Sequence, residues 1–243
     1  LLVALSALLL SATTIPALAQ YNWEIGIEGG NWFLYEPTLI SWESDQVAFP
    51  PAYLQYLQTY NESSLMNYTV TDISGDVITF EVTYHWTNGT ETTTTLEENI
   101  TSSESLMVIG ANLSNGAEIR PAYSMLDMWP MPARYLNESI ILETDIGPRE
   151  TNVLDYDSNI FEQIYHYTYY WDKETGIQVY HAENATDVLN ENQQMFSYSC
   201  KVELIDSSTG VVIPDLTGPA MLLTLMSITI PIVLLYKRKK LHT

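Results

Sequence analysis

The chain has 243 residues, with thirty Asp and Glu against nine Lys and Arg, and a formal charge of −21. An acidic excess of this size repels phosphate backbones, so nucleic-acid binding driven by counterion release is excluded. The single cysteine, Cys200, excludes any disulfide within the chain.

The first nineteen residues, LLVALSALLLSATTIPALA, are apolar and close on Ala17-Leu18-Ala19, the small-residue pattern of a signal-peptidase site. Residues 1–19 are therefore expected to be a signal peptide, with the mature chain starting near Gln20. No initiator Met and no basic segment precede the apolar run, so the sequence is expected to lack its first few residues. A first transmembrane helix is the competing reading, and the cleavage pattern argues against it.

Residues 20–214 hold all thirty acids except Asp215 and only five basic residues, Arg120, Arg134, Arg149, Lys173 and Lys201. Their length suits one domain with a real core, or two small ones. Helical periodicity is confined to PPAYLQYLQTYNESS, where Tyr53, Leu57 and Tyr60 follow Pro50-Pro51 at helical spacing and predict one short helix. Next, NYTVTDISGDVITFEVTYHWTNGTETTTTLEEN alternates apolar and polar residues and predicts strands near 66–72, 77–86 and 91–97. Ser74-Gly75-Asp76 and Asn88-Gly89 supply the two turns, and links this short make the strands an antiparallel meander. Ile78, Phe80, Val82, Tyr84 and Trp86 then face the core, and Val77, Thr79, Glu81 and Thr83 face water.

RPAYSMLDMWPMPARY, residues 120–135, is rich in Met, Trp and Pro, and Pro130 and Pro132 forbid a regular helix there. It is read as a plug over the open end of a sheet, or as an adaptable lid over an apolar ligand. GPRETNVLDYDSN is read as a turn leading into a strand at Thr151–Tyr156.

YHYTYYWDKETGIQVYHAENAT, residues 165–186, reads as a hairpin turning at Asp172–Gly176. If Asp172 pairs with Ile177, Tyr165, Tyr167, Tyr169, Trp171 and Tyr180 share one face, and His166, Thr168, Tyr170, Val179 and His181 share the other. Two histidines with no third ligand make a poor metal centre, so no metal or cofactor is expected. The aromatic face is expected to be core. As an alternative, Tyr167, Tyr169, Trp171 and Tyr180 together with Met125, Met128, Trp129 and Met131 are the candidate contacts for an apolar ligand. Cys200 lies with Tyr198, Val202 and Leu204 on one strand face, which predicts a buried, inert thiol. DSSTG, residues 206–210, repeats the D-x-x-T-G spacing and predicts a second hairpin turn, leading into a short strand.

Seven N-x-[ST] sequons occur, at Asn61, Asn67, Asn88, Asn99, Asn112, Asn137 and Asn184, where chance predicts roughly three, and the excess points to a glycosylated exterior. Leu216–Tyr236 carry no charged side chain and are followed at once by Lys237, Arg238, Lys239 and Lys240. Residues 215–236 are therefore expected to be a transmembrane helix, and 237–243 a basic cytoplasmic tail.

The fold class expected is mainly β: an antiparallel sheet of meanders and hairpins, curved like a half-barrel or folded as a sandwich, with one short helix and the C-terminal membrane helix. G-x-S-x-G, H-E-x-x-H and a phosphate-cradling glycine loop do not occur in the sequence, so no enzymatic activity is expected. Acid pairs such as Glu97-Glu98 or Asp155 and Asp157 are what thirty acids produce by chance. The resulting expectation is a non-catalytic, single-pass cell-membrane glycoprotein with its acidic domain outside, in envelope structure or adhesion. Its partners would be the membrane itself, envelope proteins, glycans or divalent cations. The alternative is an extracellular module that binds a lipid or peptide.

The order GNWFLYE, YTVTDISGDVITFEVTYHWTNGTE, NLSNGAEI, LNESI with RETNVLDY, and YTYYWDKETGIQVYHAEN resembles a group of archaeal cell-surface proteins of unassigned function. In that group G-D-W-x-x-Y, K-N-G-T and Y-W-D-K-x-T-G motifs recur in the same order, and this chain departs at GNW. The tail VVIPDLTGPAMLLTLMSITIPIVLLYKRKK is similar to an archaeal terminal anchor in which I/V-P-E-F precedes the span, with IPDL as its departure. More distantly, the W-D-K-x-T-G hairpin is similar to those of periplasmic lipoprotein carriers, whose curved sheets hold acyl chains. The resemblance implies a β-rich ectodomain and supplies no catalytic residue.

Overall fold

The structure is a computed structural model, which describes residues 24–44, 47, 49–51, 54–101, 106–125, 129–144, 147–160, 163–189 and 194–211. The expected signal peptide and membrane helix lie outside these residues, as does, apart from Val211, the strand expected after the second D-x-x-T-G turn. Among the described residues no helix is long and apolar enough to cross a membrane.

One antiparallel sheet of nine strands organises the chain, in the order β4-β3-β2-β1-β13-β12-β11-β10-β9. It consists of two meanders. The first runs through β1 (Trp32–Glu43), β2 (Ser63–Ser74), β3 (Val77–Trp86) and β4 (Glu91–Asn99). The second runs through β9 (Glu138–Thr144), β10 (Gly147–Ile160), β11 (Gln163–Asp172), β12 (Gln178–Leu189) and β13 (Met195–Ser207). Their first and last strands join in the middle, where β1 pairs with β13 from Phe33↔Ser207 to Glu43↔Ser197. Among the described strands β4 and β9 are left as edges, so the sheet they form stays open rather than closing into a barrel.

One face of the sheet is covered. Period-two alternation sends Phe33 and Tyr35 of β1, Met66, Tyr68 and Val70 of β2, Ile78, Phe80 and Val82 of β3, and Val202 and Leu204 of β13 into a shared apolar cluster. The expected core face of β3 is correct as far as Tyr84: Ile78, Phe80 and Val82 are fully buried, and Tyr84 packs half-buried against the same cluster. Beside this cluster α1 (Tyr56–Glu62), the one α-helix among the described residues, lays the fully buried Leu57 against Tyr165, Phe196, Tyr198 and Cys200. The helix begins one turn later than its prolines suggest. It ends where Ser63 turns both its amide and its hydroxyl onto the Thr59 carbonyl and passes directly into β2.

The segment between the meanders covers the remaining part of that face. Ile109, Leu113, Ala117, Ile119 and Leu136 pack on Leu154, Tyr169 and Trp171. Its short strands pair as β5 (Glu118–Arg120) with β8 (Arg134–Tyr135) and β6 (Tyr123–Met125) with β7 (Trp129–Met131). The proline-rich stretch thus contributes short paired strands, Tyr123 facing Met131 and Met125 facing Trp129, and no helix among its described residues.

Gly176 fixes how this layer docks. Its φ of +72° ends the Asp172–Gly176 turn, and a Cβ there would lie 2.1 Å from the Ile109 carbonyl oxygen. The chain comes this close because the Ile109 amide donates to the Gly176 carbonyl at 2.9 Å. Asp172 closes the turn on itself: its Oδ2 accepts from the Thr175 amide at 2.9 Å and from the Thr175 hydroxyl at 2.7 Å. It also takes both Nε and Nη2 of Arg149 at 2.9 Å, a bidentate pair with the carboxylate almost fully buried.

Candidate functional site: a caged carboxylate and the sequon asparagines

The β11–β12 hairpin departs from simple pairing at one place. The Asp172 amide reaches the Ile177 carbonyl at 3.0 Å as expected, but the register then shifts, so that Trp171 faces Gln178 and Tyr170 faces Tyr180. One residue, Val179, is left over as a bulge, and every side chain beyond it changes face. Tyr180 therefore stands on the outer face against Tyr170, at 5.3 Å between ring centroids, which corrects its assignment to the aromatic face. Val179 joins the apolar cluster on the covered face. His181 moves to the covered face and stacks on Tyr169 at 4.4 Å and 6°. The two histidines are thus on opposite faces, and no metal site can be built on the pair.

The same shift turns Glu183 inward. Its Oε1 accepts from the Tyr198 hydroxyl at 2.5 Å and its Oε2 from the Tyr56 hydroxyl at 2.8 Å, while the two hydroxyls lie 3.2 Å apart. Strand β13 supplies Tyr198, helix α1 supplies Tyr56, and Tyr167 of β11 stands directly across from Glu183. Burial pushes the Glu183 carboxyl above the usual carboxylate range, and hydrogen bonding from the surrounding tyrosine hydroxyls pulls the other way. Burial, followed by the charge on Glu183, drives the Tyr56 and Tyr198 hydroxyls far above the ordinary tyrosine value. Cys200, directly across from Glu183, is fully buried with its thiol pushed up by burial and then by the same carboxylate. That agrees with the expectation of a buried thiol. Burial lowers His181 from 6.5 to about 4, and its Nε2 has no hydrogen-bond partner.

The aromatic face of β11 is a ladder. Tyr165 to Tyr167, Tyr167 to Tyr169 and Tyr169 to Trp171 stack at 6.4, 6.3 and 5.4 Å, and Tyr156 adds to Tyr167 at 5.2 Å. Trp171 is fully buried and donates from Nε1 to the Leu106 carbonyl at 2.8 Å, and Tyr169 is buried beside it. Of the aromatic residues proposed as ligand contacts, only Tyr167 is both on this face and partly accessible. Met125, Trp129 and Met131 lie in β6 and β7, where side-chain placement is outside what the structure describes, as is Met128 altogether.

Asp155 and Asp157 flank His166 on the outer face, with Asp157 at 2.9 Å from Nδ1 and Asp155 at 3.7 Å from Nε2. Glu97 and Glu98 are adjacent in β4 and so point to opposite sides of the sheet. Among the described residues no group of three or more His, Cys, Asp and Glu is arranged to hold a metal ion. A polar pocket of about 560 Å³ opens beside the Asp172–Gly176 turn, between Asn112, Arg149, Glu150 and Lys173. Its two cations are already paired, Arg149 with Asp172 and Glu174, and Lys173 with Glu150.

All seven sequon asparagines fall among the described residues. Asn61, Asn88, Asn112, Asn137 and Asn184 are exposed, Asn67 and Asn99 are partly buried, and none is in the core. At Asn88 and Asn99 the side-chain oxygen accepts from both the amide and the hydroxyl of the sequon threonine, Thr90 or Thr101, at 2.9 and 2.7 Å.

Sequence reasoning missed Glu183 and Tyr56 as partners. No composition signal in QVYHAENATDVL sets Glu183 apart from Asp187, and the bulge at Val179 inverts the face on which Glu183 falls. A scan against protein-family models finds no match to this chain, and a search of curated proteins finds none either.

Proposed function

We propose that the chain is a non-catalytic, membrane-anchored glycoprotein of the cell surface, whose acidic β domain stands outside the membrane in envelope structure or adhesion. The observation that carries this reading is the charge-free run Leu216–Tyr236 ending on Lys237, Arg238, Lys239 and Lys240, with every acidic residue on its other side. That asymmetry is what a stop-transfer helix with a cytoplasmic basic tail requires. The apolar leader closing on Ala17-Leu18-Ala19 supports export, and the placement of the seven sequon asparagines outside the core supports glycosylation. The resemblance to archaeal surface proteins points the same way.

Membrane fractionation followed by protease treatment of intact cells tests the reading. The full-length chain should sediment with membranes, and shaving should remove the β domain while leaving a short anchored stub. Recovery of the chain in a detergent-free supernatant, or a β domain that resists external protease until cells are lysed, overturns it.

A second reading, a module for an apolar lipid or peptide, is favoured by Tyr156 and Tyr167. They lie half-buried in the ladder, between the layer formed by α1 and the layer formed by residues 106–120. Native mass spectrometry of the purified chain should then reveal a retained lipid or peptide, and a bare mass removes this reading.

A further inference from the structure

An open sheet exposes two rows of unpaired backbone amides and carbonyls, and each is a template for a strand of another molecule. In this sheet β4 is one such edge, pairing only with β3 among the described strands. It is an inviting one. Thr92–Thr95 are four consecutive β-branched residues, all exposed, with neither charge nor proline among them. The acids that commonly discourage strand addition sit towards its ends, at Glu91, Glu97 and Glu98.

Two sequons bracket this strand. Asn88 lies in the turn that leads into β4, and Asn99 is its last residue. They are also the pair whose carboxamide oxygen is held by the sequon threonine hydroxyl at 2.7 Å, which leaves Nδ2 on the far side of the carboxamide from its own turn. The opposite edge repeats the placement, because the exposed Asn137 immediately precedes β9.

We infer that glycans at Asn88 and Asn99 guard the β4 edge and prevent a second copy of this chain from adding a strand there. This rests on the glycoprotein reading given above. Attachment forms a bond between Nδ2 and the anomeric carbon of a phosphate-activated sugar donor. It breaks that carbon's bond to the phosphate oxygen, and the phosphate-bearing carrier and the carboxamide proton leave. A sugar chain at each end of a nine-residue strand flanks the approach that a pairing strand must take along its whole length. The guard is steric, so it works in a saline medium where charge repulsion is screened.

The test uses the full-length chain in detergent, produced in a glycosylating host and in one that does not glycosylate. In the glycosylating host it is compared with Asn88→Gln/Asn99→Gln and with Asn61→Gln/Asn184→Gln. Intact and peptide mass spectrometry record which sequons carry sugar, and sedimentation records self-association. The glycosylated wild type and the Asn61/Asn184 variant should stay monomeric. The Asn88/Asn99 variant and the sugar-free wild type should associate at least tenfold more tightly, with β4 amides gaining protection from hydrogen exchange. The sugar-free wild type retains both asparagine side chains, so a turn damaged by substitution cannot imitate the result. Sugar present at Asn88 and Asn99 whose loss leaves association unchanged overturns the guard and leaves the glycoprotein reading standing. Bare Asn88 and Asn99 beside occupied sequons elsewhere overturn the guard as well. Seven bare sequons overturn both.

Discussion

Tyr198 donates its hydroxyl hydrogen to Glu183 from the neighbouring strand, 2.5 Å away, and Tyr56 of helix α1 donates to the other oxygen of the same carboxylate. The carboxylate thereby ties α1 to the junction of β12 and β13. It is charged chemistry placed inside an apolar cluster, so its cost depends on pH.

Glu183→Gln measures that cost. The carboxyl is raised in the folded chain by burial, so its contribution to stability is fully present below the unfolded value, near 4.3, and is lost as pH rises through the folded value. Glutamine keeps the shape and does not ionise. Urea denaturation across pH 4 to 8 should show the variant gaining on the wild type as pH rises. A constant difference between the two would mean that Glu183 does not titrate in this range.

His181 tilts stability the other way. With its folded value lowered to about 4, its contribution is present above the unfolded value and is lost as pH falls from about 6.5 through 4. The full loss is on the order of 3 kcal/mol. His181→Phe keeps the stack on Tyr169 and cannot take a proton. Comparison of denaturation midpoints at pH 7.5 and 4.5 should show the wild type dropping markedly more than the variant.

Asp172→Asn removes the charge from a buried bidentate pair and leaves Arg149 with only the exposed Glu174. Breaking one side of such a pair costs roughly 3 kcal/mol. Thermal unfolding should register a large drop in midpoint, while Lys173→Ala, which removes the surface pair with Glu150, should change it little.

Gly176→Ala and Gly89→Ala separate backbone strain from crowding. Both positions have positive φ, +72° and +83°, but only at Gly176 would the new Cβ meet another backbone atom. Alanine at position 89 should cost about 1 kcal/mol, and at position 176 about 3 kcal/mol or more, because the loop at Ile109 must move away. Chemical denaturation gives both values directly, and equal costs would argue against the tight docking of that loop.

Local features of this fold were legible in sequence because they are set by local chemistry. The β2–β3–β4 meander follows from alternation and from Gly75 and Gly89, and the Asp172–Gly176 turn from its carboxylate and its glycine. The pairing of β1 with β13 was not legible. Phe33 and Ser207 are brought together by burial, and no pattern in either segment names the other. The face of His181, Glu183 and Tyr180 was lost to a single bulged residue, since a period-two argument fails for every position after it. The cage around Glu183 needed both pieces, the bulge and the long-range docking of α1, and so it became visible only in three dimensions.

The central seam between β1 and β13 also imposes an order of events on a chain that emerges N-terminus first. Each meander can assemble from neighbouring hairpins as it appears, but β1 waits, with one side unsatisfied, until the last strand arrives more than 150 residues later. Release of a nearly finished chain therefore yields two half-sheets with bare flanks rather than a slightly shortened domain. The final dozen residues of the domain decide whether it exists as one body.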